Sequence, residues 1–331
     1  MNPRPRRLRS KDPCWCGSGR RLKRCHLDVG SLRRPPVELG SLSPVRPVPD
    51  RIERPDYVTT GRITTPRGPQ RHDEADLSAM RRAGAVAAEV LLRTGSQVAE
   101  GVTTDELDAV AHATYVELGA YPSTLGYRGF TKSICTSVNG VICHGIPDDR
   151  PLRRGDIVNV DVTAFVDGVH GDNSATFHVG EPDGPALALV ETTREATLRG
   201  IAAVRPGVEL RAVAEAIEPF AWSRGYAVVR EYGGHGIGRT FHAAPHVDHG
   251  LQAPSGFVLE PGMTFTVEPM LLTGRTTFHQ ADDGWTEHVD DAMPSAQFEH
   301  TVLVTTTGVE ILTVTEHGET AVGTLDDLVA V

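Results

Sequence analysis

Apolar and polar residues alternate most strictly over residues 156–179, DIVNVDVTAFVDGVHGDNSATFHV. Val158, Val160, Val162, Ala164 and Val166 form one row, and Asn159, Asp161 and Thr163 form the other. Beyond Asp167-Gly168, Val169, Ala175, Phe177 and Val179 share a face opposite His170, Asp172, Ser174 and Thr176. A period of two predicts strands, and Asp-Gly predicts a two-residue turn between them. Such a hairpin sets Asp161 opposite Ser174. It leaves Asp161 and Asp172 as diagonal neighbours on one face, roughly 7–8 Å apart at the backbone. Aspartates are unfavourable inside strands, and their like charges repel unless a cation lies between them. The pattern predicts a metal site.

From Glu74 the apolar period changes to three and four, which predicts a helix. A second helix starts at Thr104, with Thr103 and Glu106 as a capping box. The order helix, Gly-Val turn, helix, Gly, Tyr, strand recurs about a hundred residues later in TLRGIAAVRPGVELRAVAEAIEPFAWSRGYAVV. A duplicated helix–helix–strand unit follows, and helices segregated from antiparallel strands make the fold class α+β.

Two further strands each carry an acid. In GMTFTVEPM, Met263, Phe265 and Val267 are the apolar row, and Glu268 shares the other with Thr264 and Thr266. In SAQFEHTVLV, Glu299 lies with Gln297 and Thr301, opposite Phe298, His300 and Val302. His235, between glycines in GGHG, is free of crowding neighbours, as suits a metal ligand. No Gly-Lys-Ser/Thr follows these glycines, so they are no phosphate loop, and no His-Glu-x-x-His helix is present. Asp161, Asp172, His235, Glu268 and Glu299 make an oxygen-rich set with one nitrogen, which favours Mn, Fe or Co. His242 and His144, the latter in a Cys-His-Gly turn, are candidates for the same cavity.

The chain has 331 residues, of which 39% are hydrophobic, as expected for a soluble globular protein. No apolar run is long enough to span a membrane. The arginine-rich start lacks the apolar core of a secretory signal. Five cysteines, three within twelve residues, fit a reducing cytoplasm better than a disulfide framework. Residues 1–72 hold 17 Lys/Arg against 6 Asp/Glu, whereas the remainder holds 16 against 37. A basic arm on an acidic body predicts a polyanionic docking partner. Within the arm, Cys14, Cys16, Cys25 and His26 supply the four soft ligands of a structural zinc site, and they resemble the SEC-C motif. Residues 31–72 contain eight of the 23 prolines and read as a stiff, extended spacer. Its RPPVELG and SPVRPVP segments offer a polyproline II surface to an SH3-like partner. The expected divisions are a zinc motif over 1–30, a linker over 31–72 and a catalytic domain over 73–331.

GVICHGIPD, NVDVTAFVDGVHGD, GGHGIGRTFH, FTVEPM and AQFEHT, in this order, resemble the type I methionine aminopeptidases, with the pita-bread fold shared by aminopeptidase P and prolidase. The resemblance implies removal of the initiator methionine from nascent chains when the next residue is small. It implies two divalent ions (Co, Mn, Fe or Zn). Asp161 would hold one, Asp172 and Glu299 would bridge both, and His235 and Glu268 would complete the second. Glu268 would also guide a proton, His242 would stabilise an oxyanion, and His144 would contact the substrate nitrogen or shuttle its proton. Tyr127, Phe130, Cys135, Phe241 and Trp285 fall where the family lines its methionine pocket. The extension resembles forms thought to dock on the ribosome. Xaa-Pro aminopeptidase or prolidase activity, or a non-catalytic ribosome-binding role on the same scaffold, are the alternatives.

Overall fold

Val158, Val160, Val162 and Ala164 are fully buried, because helices cover that face of the hairpin. The computed structural model describes residues 6–66, 68–182 and 184–328. In it, strands Ile157–Val166 and Val169–His178 pair antiparallel through the expected turn, with Asp167 and Gly168 at φ 51° and 80°. The largest sheet among the described residues runs in the order Tyr121–Pro122, Ile157–Val166, Val169–His178, Glu299–Val304, Thr264–Val267, Gly234–Gly236, Ala243–Val247.

Both expected helix pairs form. Glu74–Gly95 leads to Thr104–Glu117, whose capping box is present, and Gly184–Ala202 leads to Ala212–Arg224. The first helix lies close enough to the hairpin that a Cβ on Gly171 would sit 2.5 Å from the Gly84 nitrogen. One face of the sheet is thus committed to the core, and its polar face is left for chemistry.

The linker is extended over residues 33–49, as expected, but it turns into a short helix, Asp56–Thr60, and it is no free spacer. Every third residue turns toward the body: Val37, Gly40, Ser43 and Arg46 are half-buried. Leu39, Leu42 and Val45 are 48%, 50% and 57% exposed. That three-residue repeat is the repeat of polyproline II. The inner row is anchored by hydrogen bonds. Gly40 N donates to Asp148 at 2.7 Å, and the Ser43 hydroxyl to Asp105 at 2.6 Å. Arg46 bonds Asp105 at 2.8 Å and lies 3.3 Å from Asp108, which is 1% exposed. Lys132, also 1% exposed, joins the same cluster at 2.5 Å from Asp105. Further along, Val48 and Ile52 pack with Tyr121, Leu125 and Phe165, and the Tyr57 hydroxyl donates to the Ser123 carbonyl.

The N-terminal motif also lies against the body. Leu8 N donates to the Trp222 carbonyl at 2.9 Å and Arg7 Nε to that of Gly225 at 2.6 Å. Trp15 stacks on His26 at 4.4 Å, and the Arg224 guanidinium lies 4.3 Å from the Trp15 ring centre.

Candidate metal centre and active-site pocket

The hairpin register sets Asp161 opposite Ser174 and Thr163 opposite Asp172, as the two-residue turn requires. The Thr163 hydroxyl donates to Asp172 Oδ1 at 2.7 Å. The next strand is locked alongside: Asp172 N donates to the Thr301 hydroxyl at 3.0 Å, which returns a bond to the Asp172 carbonyl at 2.8 Å. Glu299 follows directly, paired in register with Ser174.

His235 comes from the short strand Gly234–Gly236. Its glycine neighbours are required by close backbone approach. A Cβ on Gly234 would lie 2.1 Å from the Thr266 carbonyl oxygen, and one on Gly236 would lie 2.2 Å from that of Ala244. The ring is oriented by Nδ1, which donates to the Gly236 carbonyl at 3.2 Å. That bond leaves the Nε2 lone pair facing the acids, the tautomer a metal ligand needs. Nε2 lies 3.7 Å from both Asp172 Oδ2 and Glu268 Oε1. Glu268 is held on both oxygens, by the Thr266 hydroxyl at 2.7 Å and Gln297 Nε2 at 3.2 Å.

Burial pushes the Asp161 carboxyl up to about 7 and that of Glu268 up to about 8. Burial, then repulsion from neighbouring acids, also raises Asp172 and Glu299 well above the carboxylate range. Among the described residues, no lysine or arginine forms an ion pair with any of the four; the ion pairs of Asp172 and Glu268 are with His235. Four clustered acids, three buried and Asp161 half-buried, without a fixed cation fit mobile divalent cations. Donor atoms of Asp172, His235 and Glu299 lie within 4.8 Å of one another.

The same acids line a cavity of about 390 Å³, together with every catalytic and substrate-binding residue expected from the sequence. Tyr127, Phe130, Cys135, Phe241 and Trp285 make its apolar wall, with Phe130 edge-on to Trp285 at 5.1 Å and Tyr127 against Phe241 at 4.9 Å. The His242 and His235 ring centres lie 4.1 Å apart, and the buried Nδ1 of His242 has no hydrogen-bond partner among the described residues. His144 holds a left-handed backbone, φ 57°, and meets Tyr232 edge-on at 5.5 Å. Burial lowers the basicity of both histidines, so each is a neutral imidazole at neutral pH. Sequence reasoning missed Tyr232, Met270, Arg128 and His246, which also line the cavity. It missed the supporting bonds of Thr163 and Gln297 as well, although the first follows from the strand register.

The N-terminal cluster is similarly assembled. Cys14 Sγ lies 3.0 Å from His26 Nδ1, and Cys16 lies 3.5 Å from Cys14 and 3.6 Å from Cys25. All four donor atoms fall within 4.8 Å of one another, as the four-coordinate set of a structural zinc does.

Comparison with known proteins covers both regions of the chain. The profile described as metallopeptidase family M24 matches residues 78–306, and that of the SEC-C motif matches residues 11–28. Methionine aminopeptidase 2 of Mycobacterium tuberculosis is 52% identical over 274 residues, which is 83% of this chain and 96% of the relative. Methionine aminopeptidase 1D, chloroplastic/mitochondrial, of Arabidopsis thaliana is 47% identical over 85% of this chain and 80% of its own. The crystal structure of a methionine aminopeptidase from Rickettsia prowazekii matches with a TM-score of 0.73 at 44% identity, over 74% of this chain and 100% of that one. A prolidase from Pyrococcus furiosus shares the fold, with a TM-score of 0.60 at 21% identity.

Proposed function

Since the chain belongs to the methionine aminopeptidases of metallopeptidase family M24, with their pita-bread fold, we propose that Asp161, Asp172, His235, Glu268 and Glu299 hold its divalent ions and that the adjoining cavity receives an N-terminal methionine. Co, Mn, Fe and Zn all suit these donors. When bound, such a pair acidifies a water and polarises the scissile carbonyl. Glu268 accepts the proton from the attacking water and passes it on toward the leaving amine. His242 donates a hydrogen bond to the oxygen that gains charge in the transition state. His144 contacts the substrate nitrogen, and the free α-amine binds beside Asp161. Tyr127, Phe130, Cys135, Phe241 and Trp285 surround the thioether side chain, an apolar environment that matches it. The substrate is then the nascent chain with a small second residue.

What supports this reading is that all five donor residues, from separate segments of the chain, line one aromatic-walled cavity, with donor atoms of Asp172, His235 and Glu299 within 4.8 Å of one another. The test is a peptide pair on metal-loaded enzyme. Met-Ala-Ser is cleaved and Ala-Pro-Ala is not; the reverse result assigns the chain to Xaa-Pro hydrolysis. Neither peptide being cleaved, with metals bound, leaves the non-catalytic reading.

The arm is proposed to direct this activity in the cytoplasm. Among the described residues no helix is long and apolar enough to cross a membrane. Zinc at Cys14, Cys16, Cys25 and His26 orders the basic motif of residues 1–30 for a ribosomal surface, and association then weakens steeply with salt. The exposed row of Leu39, Leu42 and Val45 is the part of the linker left open to an SH3-like groove.

A further inference from the structure

The aromatic wall of the cavity is backed by rings that do not line it. Tyr127 and Phe241 both come from irregular backbone. Tyr127 lies between Gly126 at φ 83° and Arg128 at φ 48°, and Phe241 lies in the bend between two short strands. No strand ladder fixes either ring. Instead, four rings close a circuit. Tyr57, from the linker, meets Tyr127 edge-on at 5.1 Å and lies parallel to His170 at 6.3 Å and 15°. His170 lies parallel to Phe241 at 5.3 Å and 14°, and Phe241 returns to Tyr127 at 4.9 Å. Ser123 ties the outer pair together. Its hydroxyl lies 2.8 Å from His170 Nδ1, and its carbonyl accepts from the Tyr57 hydroxyl. His170 N donates to the Gly238 carbonyl at 2.8 Å, which fixes its backbone, and the residue is only 1% exposed.

We propose that Tyr57 and His170 are positioning residues that set the Tyr127–Phe241 wall, so that the linker determines how tightly the first side chain of the substrate is held. The inference rests on the reading of that wall as the methionine pocket. Rings have few rotatable bonds, and stacked neighbours remove the remaining freedom. A wall held in place loses less entropy when methionine enters than one that must be ordered by it. Tyr57 touches neither substrate nor metal donors; it acts through its two ring neighbours.

The experiment uses the full-length, metal-loaded enzyme, with KM and kcat for Met-Ala-Ser, inhibition by free methionine and bound metal as readouts. Tyr57→Ala and His170→Ala each raise KM and the methionine inhibition constant about two- to tenfold, as expected for a lost ring contact. In both, kcat and metal content stay near wild type. His170→Phe, which restores a ring, recovers most of the loss. In a Phe241→Ala background the effect of Tyr57→Ala disappears, because the wall it positions is gone. Where Tyr57→Ala does not fold, Tyr57→Leu keeps the volume without the ring and carries the same expectation. An unchanged KM, or a fall in kcat and bound metal at constant KM, overturns the proposal, as does a full Tyr57→Ala effect in the Phe241→Ala background. If Phe241→Ala itself leaves KM unchanged, the pocket reading falls and takes this inference with it; if it raises KM while Tyr57 and His170 variants do not, only this inference falls.

Discussion

Thr163 and Asp172 face each other directly across the hairpin, and the threonine hydroxyl donates to the carboxylate at 2.7 Å. One Asp172 oxygen is therefore oriented by the protein while the other lies 3.7 Å from His235 Nε2. Thr163→Val keeps the shape and removes the bond. Divalent affinity is expected to fall about tenfold, the usual effect of losing a residue that orients a ligand, as read by Mn²⁺ titration of metal-stripped protein. Asp172→Ala is expected to lose bound metal and turnover; near-normal turnover contradicts the proposal that Asp172 is a metal ligand.

Buried acids give the metal-free protein an unusual pH response. The carboxyls of Asp161 and Glu268 are raised from 3.8 and 4.5 to about 7 and about 8. From pH 7 to 8 the folded state keeps protons on these acids that the unfolded state has lost, while buried His144, His170, His235 and His242 oppose them only below about pH 6.5, so stability falls as pH rises through this window. Metal-stripped protein is expected to melt at a lower temperature at pH 8 than at pH 7. Saturating Mn²⁺ should raise the midpoint most at pH 8, because the ions replace the protons. A stripped protein whose melting midpoint rises across this range would show that these acids are not buried together.

Arg46 is the linker's main electrostatic anchor. Asp108, which it faces, is 1% exposed at its side chain and is raised to about 6 by burial. Arg46→Ala leaves Asp108 without its nearest cation. It is expected to cost roughly 2 kcal/mol, less than for a fully buried pair because Arg46 is partly exposed, as measured by chemical denaturation. Deleting residues 1–72 removes Ser43, Arg46, Val48, Ile52 and Tyr57 together. Such a truncation is expected to lose stability and peptide turnover, whereas one ending before residue 31 keeps both.

Trp15 reports on the N-terminal metal. It stacks on the ligand His26 and lies under Arg224 of the body. Cys14→Ser is expected to release one zinc and shift the Trp15 emission toward that of solvent-exposed indole. Met-Ala-Ser cleavage should persist in this variant, since the motif lies apart from the catalytic donors. Emission identical to that of wild type would mean that metal does not order the motif.

The hairpin was legible in the sequence because one Asp-Gly pair and a strict period of two fix its register. The candidate ligands were legible because acids in the middle of apolar strands need a reason. Lys132 and Asp105 were not. A single charge in a polar stretch reads as surface, and only the folded linker shows that Ser43 and Arg46 close over them. His170 stood on the polar face beside Asp172, but nothing in a linear sequence shows that rings from residues 57, 127 and 241 surround it. The linker's attachment was hidden for a related reason. It binds through single hydrogen bonds at every third residue, which leaves no run of apolar residues to notice.

That spacing makes the linker a screw thread with three tracks, of which one is fastened to the body. Inserting a single residue just after Gly40 would turn the remaining track by a third of a revolution, driving Leu42 and Val45 toward the acids and lifting the arginine into solvent. Insertions of three residues would keep the tracks in phase. Length variation in this segment should therefore be tolerated in triplets.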